Sequence, residues 1–516
     1  MAITDSLCRS FLDLWWHFDP AAATWAGITA HDGRLGAFDP DSIRQHAAAF
    51  RSIAGAVEDL EVEDTADEID RTALLDHLRV LLFRFEHEHP YQKNPALWIE
   101  HLDSAFEGLL ARGAGDAELA AAALDRLREV PAFLRTARAS LRKPPVLFVE
   151  TALALLAETP ALLDETARRF GADWSREGGD GAGVMTEAKT SLEQLSTALR
   201  GLAVDPDPHA AAIGEDEVDR RLHYEHASIH NAAEVWRGAL RLAAEVESEV
   251  SALAAAIDPA RTWRELYEQA REESPVWSQL EAELREALEQ NTRLLESRGI
   301  SAVAPPLELA ELSPAARVLE PLACYQPAGL VPAALLVGDP DRAALPWLAA
   351  RLGIPGLHLQ RSRRDALPGL VRRHVTATST SLGWCLYAQE LLPELGFMSE
   401  PESRLIERVL FLRDVQLGLV DLGLHTKQLT PDEAVGQLTA QVPGDPAAAL
   451  ADVRRLACRP TSGCAAILGR QELRRLREDF LAARGDAGTL EDFQLEVFGY
   501  GGLPVPLIRW GMGLDA

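Results

Sequence analysis

From residue 115 to 170, Ala and Leu recur with a period near 3.6, and similar amphipathic runs fill almost all of the first 300 positions. That period gathers apolar side chains on one face of a helix, so each segment has to bury a stripe against another helix. A chain patterned this way folds as packed helices. The first helix is predicted over 3–18, rich in aromatics (Phe11, Trp15, Trp16, Phe18) and ended by Asp19-Pro20. Two more follow near 40–60 and 66–88, with Asp64-Thr65 as the N-cap of the second. Breaks are expected at Pro131, Pro144-Pro145 and Pro160, and the glycine-rich stretch 171–186 reads as a flexible loop. A helix to about 203, a long one over 213–257 and a charged one over 260–298 complete this half.

Residues 303–338 differ. PPLELAEL, RVLEPLACYQP and GLVPAALLVGD are short apolar runs punctuated by Pro and Gly, which read as strands. Mostly helical pattern then returns to the C-terminal end. The fold class is mostly α with a small β-sheet near 303–338.

By length alone, 516 residues allow two to four domains, although large helical proteins can form one continuous body. Hydrophobic residues at 47% and charged residues at 25% suit a globular chain with a sizeable core. No run reaches the roughly 18 uninterrupted apolar residues of a membrane helix. A net charge of −28 repels nucleic acid and anionic membranes, so neither is expected as a partner. The N-terminal MAITDSLCRSFLDLWW carries Asp5 before any positive charge and has no small-residue cleavage site. The five cysteines (8, 324, 385, 458, 464) are odd in number and lack Cys-x-x-Cys spacing, which suits a reducing compartment and argues against a cysteine zinc site. A cytoplasmic protein is therefore expected.

The stretch 351–390 carries the most specific pattern. Ile354, Pro355, Gly356, His358, Leu359 and Gln360 fit a motif H-E-x-x-P-G-H-H-L-Q, and Gly383, Trp384, Leu386, Tyr387 and Ala388 fit E-G-W-x-L-Y-x-E. These two motifs resemble those of the DUF885 family, helical proteins that look like zinc metallopeptidases. Further resemblance lies in Thr24, Gly27, Asp32, Arg34 and Leu35, in Asn94-Pro95, in Ile213-Gly214-Glu215, in Asp421, Gly423 and His425, and in Pro460, Gly469 and Leu476-Arg477. FQLEVFGYGGLPVPL at 493–507 matches another element, with Gln494 in place of a histidine. The resemblance thus covers nearly the whole chain, 1–516, as a single region with approximate parts 1–300 (a helical lobe) and 301–516 (the motif-bearing lobe). It implies a large two-lobed helical body around a deep cleft.

The departures fall on the polar positions. Arg351-Leu352 stand where the family has His-Glu, Leu357 replaces the first paired histidine, Leu382 the Glu that opens the second motif, and Gln389 the Glu that closes it. A hydrolytic zinc site needs about three N or O ligands and a carboxylate to take a proton from the bound water. Leu cannot ligate and Arg repels a cation. No metal and no cofactor are expected.

Other residues retain chemistry. His358 and His425 can act as general acid or base, Tyr387 and Gln389 can donate hydrogen bonds, and Cys385 is a nucleophile candidate. Arg351, Arg361, Arg363, Arg364, Arg372, Arg373 and His374 reverse the local sign of charge and suit a carboxylate or phosphate. Arg351, His358, Arg372, Arg373, Trp384, Tyr387 and Gln389 are the expected ligand-binding set, with Arg351 holding an anion near the vacated metal position. His223, His226 and His230 at i, i+3 and i+7 would line one helix face and are the alternative metal ligands. His87 and His89, alternate residues of a helix, point to different faces and make a poor pair.

The leading expectation is a metal-free, metallopeptidase-like pseudoenzyme binding a peptide or another small anionic, carboxylate-bearing molecule. The alternatives are a repurposed metal-independent enzyme, with Arg351, His358, Tyr387 and His425 as catalytic candidates; a helical interaction or regulatory protein; and a zinc peptidase with a relocated site.

Overall fold

The computed structural model describes residues 3–113, 116–176, 180–271 and 275–514. The N-terminal half is helical as the periodicity requires: α1 (Ile3–Phe18), α2 (Pro40–Glu58), α3 (Thr65–Phe83), α4 (Pro95–Ala111), α5 (Ala117–Ser140), α6 (Val146–Arg176) and α7 (Gly181–Arg200). Their starts are fixed by side-chain caps. Asp39, Asp64, Asn94 and Asp116 each accept hydrogen bonds from backbone N–H groups of the first turn.

Two expected breaks are absent. Pro131 lies inside α5 and Pro160 inside α6. Each proline forfeits one backbone hydrogen bond, but buried Val130, Phe133 and Leu134 hold α5 across it, and buried Thr159 binds Asp103 beside the other. Only Pro144-Pro145 separates helices. The expected loop 171–186 is also corrected. Helix continues to 176 and resumes at 181, because the buried Trp174 indole donates to the Ala120 carbonyl at 2.7 Å and ties the end of α6 to α5; residues 177–179 of that stretch lie outside the described residues. One helix, Val146–Ser175, is long and apolar enough to cross a membrane by length and composition, with half of that window buried inside the protein.

The stretch 213–257 is two helices, α8 (Glu215–Tyr224) and α9 (Ala232–Ile257), parted by a turn in which Ala227 has φ 51° and Asn231 forms a capping box with Glu234. The charged stretch 260–298 likewise divides into α10 (Trp263–Ala270) and α11 (Trp277–Ser297). Then comes the sheet: β1 (Leu307–Glu311), β2 (Ala323–Gln326) and β3 (Ala333–Val337), in the order β1-β3-β2. β1 runs parallel to β3 and β2 antiparallel to it. The central strand is the most buried, and Leu335 and Val337 pack on Leu280 and Leu284 of α11.

Four helices position the motif residues: α12 (Leu357–Asp365), α13 (Thr378–Glu394), α14 (Pro401–His425) and α15 (Ser462–Arg484). α13 and α15 cross almost backbone to backbone. A Cβ on Gly469 would stand 1.8 Å from the Ser379 carbonyl oxygen, and one on Gly383 only 2.6 Å from the Gly469 carbonyl carbon, so both positions require glycine. One apolar cluster runs from Cys8 in α1 through Trp98 and Trp384 to Ile508.

Candidate functional site

The framework residues of the two motifs lock to each other. A widened helical turn, Ala349–Gly353, leads into a cis Ile354-Pro355 bond and Gly356, where a Cβ would collide with the Arg351 carbonyl oxygen at 1.9 Å. The fully buried Trp384 donates its indole N–H to the Pro355 carbonyl at 2.9 Å, and the Asn291 amide donates to the Ile354 carbonyl at 2.9 Å. Ile354-Pro355-Gly356 and Gly383-Trp384 therefore form one joint that brings residue 351 against α13.

At that joint stands a charge network. Arg351 makes a two-pronged pair with Asp414 at 3.1 and 2.5 Å and donates from Nε and Nη2 to Gln389 Oε1 at 3.1 and 2.8 Å. Gln389 passes the chain on to Glu407 at 3.1 Å; Glu407 binds Arg408; Arg408 and Arg470 both bind Glu390 at 2.6 Å. Arg404, Arg474 and Glu249 join the network at its margins, Arg404 on Glu407 at 3.0 Å and Glu249 on Arg408 at 3.2 Å. Burial would make the Arg351 guanidinium easier to deprotonate, but the Asp414 charge and hydrogen bonds outweigh it and hold the cation more firmly than usual. Burial likewise opposes ionisation of Glu390, yet Arg470 and Arg408 keep its carboxyl below the ordinary range.

The donor set does not suit zinc. A paired guanidinium occupies residue 351, Leu352, Leu357 and Leu382 offer no lone pair, and among the described residues no three His, Cys, Asp or Glu side chains form a metal-holding group. The anion that Arg351 holds is the protein's own Asp414. Asp414, Glu407 and Glu390 were not among the candidates read from the sequence. A signal was present: Glu407 and Asp414 are seven apart, which puts them on one face of α14.

The other candidates have separate places. His358 is buried, with Nε2 2.8 Å from the Pro305 carbonyl and Nδ1 3.0 Å from the Tyr325 hydroxyl. A carbonyl only accepts, so Nε2 carries the hydrogen and Nδ1 accepts from Tyr325. Burial lowers its pKa, and both ring nitrogens are engaged. Tyr387 lies in the core with its ring 5.1 Å from that of Trp384 and its hydroxyl 3.4 Å from Arg477. Burial pushes the Cys385 thiol up to about 12, and it donates to the Ser381 carbonyl, which removes the thiolate a nucleophile needs. His425 donates from Nε2 to the Leu456 carbonyl at 3.1 Å, while Asp421 accepts from the backbone N–H groups of Thr461, Gly463 and Cys464 and so caps α15.

The basic segment does not converge on one point. Arg372 pairs with Asp70 of α3 at 2.9 Å, Arg364 with Asp365 at 2.6 Å, and Arg363 donates to Ser301 at 2.8 Å. The Arg361 guanidinium lies 5.7 Å over the Tyr325 ring. Buried Arg373 Nε has no hydrogen-bond partner, and His374 beside it is pushed down to about 4 by burial and by the positive charge of Arg373 and Arg364. The histidine row is a correction. α8 ends at Tyr224, so His223, His226 and His230 share no helix face: His226 is fully buried against Thr461 at 3.3 Å, and His230 lies beyond the turn, 3.6 Å from Glu234.

Cavities occur elsewhere. One of about 1030 Å³ lies between α9 and α15. Another, of about 500 Å³, opens between residues 83–97, 148, 210–221 and 457–460. Three segments of the sequence resemblance, at Asn94, Ile213-Gly214-Glu215 and Pro460, line the second. Glu88, Glu217 and Arg221 stand in its wall, with Arg221 bound to Glu88 at 2.6 Å.

A family model described as a bacterial protein of unknown function, DUF885, matches residues 20–512. The chain belongs to the DUF885 family. Two solved structures share the fold of this DUF885 protein. One, from Shewanella oneidensis, is described as "a putative lipoprotein of unknown function"; it is 17% identical, with a TM-score of 0.76, and the alignment covers 99% of this chain and 100% of that one. The other, from Colwellia psychrerythraea, is described as "the putative lipoprotein", at 15% identity and a TM-score of 0.83, covering 99% and 98%. No curated protein matches. The two descriptions overturn the cytoplasmic expectation. Lipoproteins are membrane-anchored, and cysteine spacing and N-terminal charge are indirect signs of compartment that do not outweigh them.

Proposed function

We propose that this DUF885 protein is a metal-free, metallopeptidase-like pseudoenzyme that binds a peptide or a small carboxylate-bearing metabolite. The observation that carries this reading is the Arg351–Asp414 pair with its Gln389 and Glu407 supports. A fixed cation stands where the family has a metal-binding histidine, and its counter-charge is already supplied from within. Such a site neither recruits zinc nor activates water. The framework that would hold a catalytic centre persists in Pro355, Gly356, Gly383 and Trp384, and it now serves to hold the fold. On this reading the body has two lobes, 1–300 and 301–516, and the 500 Å³ cavity between residues 83–221 and 457–460 is the cleft between them.

The test is elemental mass spectrometry of the protein after exposure to excess zinc and dialysis, with peptide hydrolysis followed alongside. Well under one zinc per chain and no zinc-dependent hydrolysis are expected. One zinc per chain with hydrolysis sensitive to a chelator would end this reading.

A further inference from the structure

The wall of the 500 Å³ cavity holds charges that do not cancel as those at the motif joint do. Glu217 is 5% exposed, and among the described residues neither of its oxygens has a hydrogen-bond partner. Arg220 Nε and Arg221 Nε stand 3.3 and 3.6 Å away, close enough for attraction but not aligned to donate. Arg221 is committed to Glu88, and Arg220 lies 4.2 Å over the Phe83 ring. Arg84 and Lys93 also line the cavity, and neither side chain has an ion-pair or hydrogen-bond partner among the described residues. Glu217, short of donors, thus shares one cavity with these two cations, and the rest of the wall includes Glu215, Asp216, Phe83, Leu97 and Phe148.

Buried polar groups left without partners in a native fold call for a ligand, water or ion to satisfy them. An anion alone would suit Arg84 and Lys93 and be repelled by Glu88 and Glu217. A cation alone would meet the reverse. We infer that the cavity binds a small dipolar molecule carrying both an ammonium and a carboxylate, a free amino acid or a short peptide with both ends unblocked, with the ammonium on the Glu88–Glu217 pair and the carboxylate toward Arg84 and Lys93. Ammonium N–H groups supply the donors that Glu217 lacks, and the charge-assisted bonds are the strong class.

One consequence separates this site from simple charge attraction. Burial first, then the Glu88 carboxyl, raise Glu217 to about 8, whereas for Glu88 the charge and hydrogen bond of Arg221 outweigh burial and keep it ionised. The pair therefore carries one proton at neutral pH. The groups that face it are Arg84 from the segment 84–88, Arg220 and Arg221 from α8, Glu225 just past its end, and His425 from α14. An arriving ammonium takes the place of that proton, which leaves to solvent, so affinity rises as pH rises toward 8.

This inference rests on the pseudoenzyme reading only in taking the same cavity as the cleft. The experiment is a thermal-shift screen of the full chain against the twenty amino acids and a set of unblocked dipeptides. Calorimetry of the best binder follows, at pH 7 in two buffers of different ionisation enthalpy. At least one unblocked compound is expected to bind. Its N-acetylated and its amidated forms, and Glu217→Gln with the unblocked form, should each bind about tenfold weaker or worse. Lys93→Ala, an exposed position, should weaken binding without changing the fold. Close to one proton should be released by the natural protein and none by Glu217→Gln. If no compound binds, if blocked forms bind equally well, or if Glu217→Gln binds unchanged, the dipolar site is wrong. Should Glu217→Gln not fold, the blocked ligands and Lys93→Ala still decide. Stoichiometric zinc would end the pseudoenzyme reading and leave this site standing; binding indifferent to Glu217 would do the reverse.

Discussion

The charge network at the motif joint and the carboxyl pair at the cavity are both built from buried Glu and Arg, yet they differ in satisfaction. Around Glu390, Arg408, Arg470, Glu407, Gln389, Arg351 and Asp414, each charge meets an opposite charge with hydrogen bonds in place. Around Glu217, two oxygens share one proton with Glu88 and otherwise wait. A satisfied network stabilises one conformation and leaves nothing for a ligand, while an unsatisfied group costs stability until something binds it. The motif region of this protein has the first character and the cavity the second.

Four perturbations break or sharpen that contrast. The largest effect is expected from Glu390→Ala, which strands Arg470 in the core, leaves Arg408 only Glu407 and Glu249, and should cost about 3–5 kcal/mol in urea unfolding. A loss below about 1 kcal/mol would mean the network is not the structural element described here. Next, Arg351→Ala leaves Asp414 and Gln389 without their donor. Because the pair is partly exposed, about 1–3 kcal/mol is expected, with most of the loss shared in a double-mutant cycle with Asp414→Ala. Neither variant should alter binding at the cavity.

Asp421→Ala removes the side chain that caps α15 and should cost about 1–2 kcal/mol, read from the same unfolding curves. At acid pH the smallest effect belongs to Glu217→Gln, and its signature is a slope. The folded protein keeps the Glu217 proton up to about 8, whereas the unfolded chain releases it in the ordinary carboxylate range. Across that window the folded state binds more protons, so stability falls as pH rises. Glu472, also raised to about 8 by burial, adds a slope of the same sign. Glu217→Gln should flatten part of the decline, matching the parent near pH 5 and exceeding it at pH 8 in thermal melts. A variant with an unchanged slope would show that Glu217 titrates normally.

Much of the architecture was legible beforehand. The first helix and the two helices after it follow from periodicity and from caps such as Asp64, and the strands inside 303–338 from short apolar runs punctuated by Pro and Gly. The errors were breaks imposed at Pro131 and Pro160, and joins across 225–231 and 271–276. In the first pair, packing against neighbouring helices outweighs a local penalty. At 225–231, periodicity is blind to a turn after which the Asn231 capping box starts a new helix. The site was half legible: the residue types at 351, 357, 382 and 389 marked the joint where α13 meets residue 351, but not the carboxylates that Arg351 and Gln389 meet there.

The sequence by itself determined the mostly α fold, the DUF885 resemblance and the side-chain types at 351, 352, 357, 382 and 389, because these depend on local periodicity and on which atoms a side chain carries. Only the tertiary structure decided that Arg351 is neutralised by Asp414, that His358 is held by Tyr325 and Pro305, and that Glu88 meets Glu217 across 129 positions of sequence. Those pairings are set by how helices cross. Electrostatic and hydrogen-bond energies fall off over a few ångströms, a distance that spacing along the chain does not encode.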